Sequence, residues 1–232
     1  MGPRKVVDEV LSHKTLALDA PAEGLDAAHD DVLAEVRRRS VAAGVAVVDD
    51  ATAGLIVILV RAMAAGRILE IGSGCGYSGI LLARAIADGG RLFTFELDPD
   101  RAALAREHFA LAGLTDRAYV MVGDAARLVH KVAGPFDIIV DDANLPDNQG
   151  VLNRLVALLR DGGVLVSARP RADAPDSDST CGKTSRTAAA AWVDAGDPHR
   201  PTVHPRLLTT ILPIGDGVAL SVKCTAAATP QV

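Results

Sequence analysis

The sequence predicts an α/β protein: a doubly wound, mostly parallel sheet covered by helices, with a helical lead-in before it and a β-hairpin after it. Three observations predict this. Between Arg67 and Ser167, five short apolar runs alternate with amphipathic stretches of helical spacing. Each run is apolar on both sides, the mark of a strand buried on both faces. And glycines at 72, 74, 76 and 79 lie between the first run and the helix-like segment Ile80–Ala87. That is the strand, turn and helix start that hold a nucleotide-like ligand. Right-handed crossovers between parallel strands then give the doubly wound form.

Residues 1–50 read as a helical lead-in, with Leu25, Val32, Leu33 and Val36 at helical spacing around Asp26–Arg39. Asp49-Asp50-Ala51-Thr52 offers cap residues before an apolar helix, Ala53–Ala65, that stops at Gly66. Strand 67–71 leads to helix 77–87, ended by Asp88-Gly89-Gly90. Strand Arg91–Glu96 leads to Asp98-Pro99, a cap with proline at the first helical position, and so to helix 99–112. Strand Ala118–Val122 is followed by a helix from Asp124 to Lys131. Strand Phe136–Asp141 is followed by a helix from Asp147 to Leu159, which Asp161-Gly162-Gly163 should end. Strand Val164–Ser167 closes the series. Loop 170–187, rich in Pro, Asp, Ser and Thr, is long enough to be a lid or substrate-selecting segment. Helix 186–195 comes next. Arg206–Leu212 and Val218–Lys223, joined through 213–217, read as a hairpin. No linker or repeat divides the 232 residues, so they read as one domain, with 1–50 as lead-in and 51–232 as core.

Composition narrows the class. A net charge of −5 argues against a nucleic-acid partner. The longest dense apolar run, Leu55–Val60, is far short of the roughly 20 residues of a membrane helix. The N-terminus has no apolar signal region, and Cys75, Cys181 and Cys224 lack metal-ligand spacing. A reducing cytoplasm is the expected location.

The run Gly74–Gly79 matches GxGxxG, but that frame is one step removed from the strand. Counted from Gly72, where a dinucleotide turn would begin, position 77 is Tyr rather than Gly. What the strand presents is Glu70-x-Gly72-x-Gly74-x-Gly76. An acid there repels a pyrophosphate and suits a ligand with an ammonium group, such as S-adenosylmethionine. Glu96, ending the second strand, is placed for ribose hydroxyls. Gly123-Asp124-Ala125 follows the third strand beside the adenine, although Asp124 and Asp98 also read as helix caps.

The segments LEIGSGCGYSGILLA, FTFELDPDRAALAREHFALAG, VMVGDA, GPFDIIVDDAN, LLRDGGVLV and LPIGDGVAL stand in one order across residues 50–223. Together they resemble the class I S-adenosylmethionine-dependent O-methyltransferases of the catechol and caffeoyl-CoA type. The resemblance implies a seven-stranded Rossmann-like sheet, parallel except for one strand. It implies Glu70 at the methionine ammonium, Ser78 at the carboxylate, and Gly72, Ser73, Gly74, Gly76 and Tyr77 as the turn. Glu96 and Leu97 would flank the ribose, and Gly123, Asp124 and Ala125 the adenine, with Asp142 at the edge of the cofactor site. Homodimers and a small-molecule acceptor, often of secondary metabolism, are also implied.

The chain departs from that family where the chemistry occurs. The family's divalent cation is held by an aspartate, here Asp142, and by an Asp-Asn pair, here Ala168-Arg169. Its catalytic lysine is replaced by Leu145. A hard divalent ion wants about six oxygens, several anionic, so the expectation is no catalytic metal. Candidate catalytic residues are then Asp142 with the adjacent Asn144, Arg169 as a fixed cation beside Asp142, and His13 in the lead-in. The expected activity is metal-independent methyl transfer to oxygen. Transfer to nitrogen, a catalytically silent binding protein and a dinucleotide-dependent oxidoreductase are the alternatives.

Overall fold

Strands that are apolar on both sides need a helical layer on each face, and that need shapes this chain. The computed structural model describes residues 31–143, 149–168, 204–215 and 217–225. Helices α1 (Asp31–Ala42) and α2 (Asp50–Ala62) come first. Then come β1 (Arg67–Ile71), α3 (Tyr77–Ala85), β2 (Arg91–Glu96), α4 (Pro99–Leu111), β3 (Ala118–Val122), the single-turn α5 (Ala125–Leu128) and β4 (Phe136–Asp141). Helix α6 (Gln149–Leu158) runs straight into β5 (Leu159–Ala168), and β6 (Leu207–Leu212) and β7 (Val218–Lys223) form the hairpin.

The seven strands lie in the order β3-β2-β1-β4-β5-β7-β6. β1 to β5 pair in parallel, and β7 runs antiparallel to both β5 and β6. The chain winds outward from β1 to β3, then returns to β4 on the other side of β1. That reversal opens a crevice above the C-terminal ends of β1 and β4, where open α/β sheets bind ligands.

Pleat parity divides the core. Ile68, Leu92, Ile138, Val140 and Val166 face α1 to α4, where they meet Val36, Ile56, Val60, Ile80 and Phe109. Leu69, Ile71, Phe95, Ile139 and Leu165 face the opposite way, onto Leu128 of α5 and Val151, Leu155 and Val156 of α6. Three helices begin on an aspartate cap: Asp49 accepts from Thr52 N, Asp98 from the N–H groups of Asp100 and Arg101, and Asp124 from Ala126 N.

Two expectations change. Helix α5 stops at Leu128 instead of reaching Lys131. Asp161-Gly162-Gly163 does not separate α6 from β5; it lies inside β5 as an irregularity, with Gly162 at φ +72°. Phe136 pairs with Leu159 but Ile138 pairs with Val164, so the extra residues bulge out between them. The reason is a distant partner. Asp137 accepts from Arg160 Nε at 2.6 Å and from the N–H groups of Gly66 and Arg67 at 2.9 Å, which pins the start of β5 to β4 and β1. The expected loop 170–187, helix 186–195 and most of the lead-in before α1 lie outside the described residues. Among the described residues, no helix is long and apolar enough to cross a membrane.

Candidate active site

The glycine turn has the shape it has because three elements press on it. A Cβ on Gly72, at φ +96°, would lie 3.1 Å from the backbone of Asp142 and Ala143, which leave β4 directly beneath. A Cβ on Gly74 would lie 3.0 Å from Val45 Cγ1, in the segment joining α1 to α2. The N–H groups of Gly72 and Ser73 both donate to Phe95 O, at 3.0 and 2.9 Å. Gly74 N donates to Glu96 Oε2 at 2.8 Å, and Asp98 N to Glu96 Oε1 at 3.0 Å.

Above this turn lies a cleft of about 410 Å³, within the usual range for a small-molecule site. The C-terminal ends of four parallel strands meet in it: Ile71-Gly72 after β1, Glu96-Leu97 after β2, Gly123 to Ala125 after β3, and Asp142-Ala143 after β4. Its acidic lining residues are Asp49, Glu96, Asp124 and Asp142, and Arg101 is its basic one among the described residues. That balance disfavours a pyrophosphate and tolerates a cationic ligand.

Glu96 fits a ribose diol. Its carboxylate is 7% exposed, is oriented by two backbone N–H groups, and keeps a second lone pair on each oxygen for a ligand hydroxyl. Asp124 both caps α5, through Ala126 N at 2.9 Å, and lines the cleft, so the cap reading and the ligand reading coexist. Exposed Leu97, with Gly123 and Ala125, supplies apolar wall.

Asp142 is half-buried, with its N–H bonded to Ile71 O at 3.0 Å. Burial, and then the charges of Glu70, Asp141 and Asp49, push its carboxyl up to about 7.

Five residues expected at the ligand are not part of this cleft's lining. Glu70 does not line the cleft. Parity on β1 turns it with Ile68 toward α3, where it is fully buried and its Oε2 would sit 3.2 Å from a Cβ on Gly79. Burial raises it to about 7, and the Glu96 charge adds to that. The Ser78 and Thr94 hydroxyls pull the other way, although neither closes a hydrogen bond of normal geometry to it. Ser73, Gly76, Tyr77 and Ser78 shape the turn but do not line this cleft. Tyr77 points inward, its hydroxyl accepting from Arg37 at 2.7 Å while the guanidinium carbon lies 4.8 Å from the ring centre. The same guanidinium pairs with Asp50. His13, Asn144 and Arg169 lie outside the described residues.

Sequence reasoning missed a whole wall. Gly44 to Asp49 and Thr52 line the cleft, as do Ala168 and Gly217. The only signal was the apolar run Val45-Ala46-Val47-Val48 between Gly44 and the Asp49 cap. Among the described residues, no group of three or more His, Cys, Asp or Glu is placed to hold a metal ion.

Residues 25–224 match the O-methyltransferase family. A probable O-methyltransferase of Mycobacterium tuberculosis is 31% identical over 211 residues, spanning 89% of this chain and 91% of that protein. A putative O-methyltransferase of Mycobacterium marinum is 30% identical over 210 residues, spanning 89% and 90%. Among solved structures, an O-methyltransferase from Bacillus cereus in complex with SAH (S-adenosylhomocysteine) aligns with a TM-score of 0.64 at 26% identity, covering 94% of this chain and 97% of that one. The O-methyltransferase TomG of Streptomyces achromogenes, in complex with SAM, shares the fold at a TM-score of 0.65 and 24% identity, over 97% and 100%. With a match across the sheet and every strand end of the cleft, the chain belongs to the O-methyltransferase family.

Proposed function

We propose that this chain carries out its family's reaction, methyl transfer from S-adenosylmethionine to an oxygen of a small molecule, with Asp142 as proton acceptor and no divalent cation. The observation that carries this reading is the placement of Asp142, whose carboxyl lines the cleft at the end of β4, where burial and neighbouring carboxylates raise it above the usual range. A base of that strength is matched to neutral pH.

When bound, S-adenosylmethionine supplies a methyl group on a sulfonium, open to in-line displacement by an oxygen nucleophile. The protein supplies the rest. Glu96 and the Gly72–Gly74 cradle orient the nucleoside, and the acidic lining favours a sulfonium and ammonium over a phosphate. Asp142 takes the proton of the acceptor hydroxyl as its oxygen gains the methyl group. Val45, Val47 and Val48 give the cleft an apolar wall. Two features support independence from a metal: Ala168 and Arg169 replace the Asp-Asn ligand pair, and Leu145 replaces the lysine.

Thermal denaturation with S-adenosylhomocysteine and with NAD tests the cofactor. A melting temperature raised by the first and unmoved by the second is expected, and the reverse would overturn the reading.

A further inference from the structure

We propose that His108 is a positioning residue for the cofactor turn, acting through two peptide units on Glu96; this rests on the reading that the turn holds S-adenosylmethionine. His108 lies on α4, outside the cleft, and is fully buried. Its Nδ1 is 2.7 Å from the carbonyl oxygen of Cys75. A carbonyl only accepts, so Nδ1 carries the proton and donates. Nε2 is buried with no partner among the described residues. A leucine would fill this space without that unpaired nitrogen, so the bond at Nδ1 is what the imidazole contributes.

That bond begins a chain of four. The Cys75–Gly76 peptide unit is held at its oxygen by His108 and at its N–H by Ser73 O, at 2.8 Å. The next unit, Ser73–Gly74, is held at its oxygen by that same contact, and its N–H donates to Glu96 Oε2 at 2.8 Å. Asp98 N completes the row at Glu96 Oε1. Hydrogen bonds in series polarise and align one another. The turn needs such a hold because Gly74 and Gly76, at φ +49° and +91°, leave its peptide planes free to rotate. The stripe that supplies it is well seated: a Cβ on Gly76 would lie 3.3 Å from Ala105 Cα, and one on Gly79 would lie 2.6 Å from Phe109. Ala105, His108 and Phe109 therefore form one face of α4 against the back of the turn, and His108 is its polar member.

The test is calorimetric titration of S-adenosylhomocysteine into wild type, His108→Asn, His108→Gln and His108→Leu, with melting temperatures measured alongside. Asparagine places an amide N–H where Nδ1 stands, whereas glutamine places it nearer Nε2. His108→Asn should bind within about threefold of wild type, and His108→Gln and His108→Leu about tenfold more weakly, the size expected for one buried hydrogen bond. If leucine unfolds the protein, the asparagine and glutamine pair decides alone. In combination with Glu96→Ala, the His108 loss should shrink, because both lie on one path. Equal binding by all folded variants, or losses that simply add, would overturn the inference and leave the cofactor reading standing. A wild type that does not bind S-adenosylhomocysteine would overturn both.

Discussion

Replacing Asp142 by Asn keeps the shape of the side chain and removes its basicity. A base with a pKa of about 7 is ionised in about one molecule in eleven at pH 6 and about ten in eleven at pH 8, so kcat/KM should rise roughly tenfold between them and then level. Asp142→Asn should lose that limb and about 10² to 10⁴ in rate, the usual contribution of a positioned base. Its affinity for S-adenosylhomocysteine should fall far less than its rate, by no more than about tenfold, because Asp142 is one of four carboxylates lining the cleft. The assay is transfer of a labelled methyl group to one phenolic acceptor, read as initial rates across that pH range beside calorimetric affinities. The reasoning fails if Asp142→Asn keeps the wild-type rate within threefold and the same pH profile.

Glu70 should make the fold less stable as pH rises. Its folded pKa lies at about 7 against an ordinary 4.5, so the folded state holds the proton more tightly. That stability is fully present below about 4.5 and is lost as pH climbs through about 7, by about 3 kcal/mol. Glu70→Gln should flatten the decline and exceed wild type in stability at pH 8; parallel denaturation curves for the two at every pH would contradict this. Gly79→Ala should lower stability by about 1–3 kcal/mol, seen as a lower melting temperature, because its Cβ would come within 2.6 Å of Phe109 and the ring must move.

Most of the sheet was legible because its signals are local. Strands 67–71, 91–96, 118–122, 136–141 and 218–223 are apolar runs closed by residues that cannot continue them, and they form at those bounds. β5 was misjudged because Asp161-Gly162-Gly163 is a stop signal locally, while the force that extends the strand through it is Arg160 reaching Asp137 on another strand. Glu70 teaches a related lesson. Its motif marks the turn, but its full burial follows from the parity it shares with Ile68 on β1, which turns it toward α3. The wall from Gly44 to Thr52 depends on how α1 and α2 dock against the sheet, and no spacing within that segment encodes the contact of Val45 with Gly74. His108 was hidden for the same reason, since its partner is 33 residues away.

The claim that matters most is methyl transfer from S-adenosylmethionine to oxygen without a divalent cation. The direct measurement is labelled methyl transfer to a productive phenolic acceptor, after dialysis against EDTA and then with magnesium restored. Unchanged rates through both steps are the predicted result. Activity abolished by EDTA and recovered with magnesium would contradict the account, and would mean that donors beyond Asp142 complete a metal site.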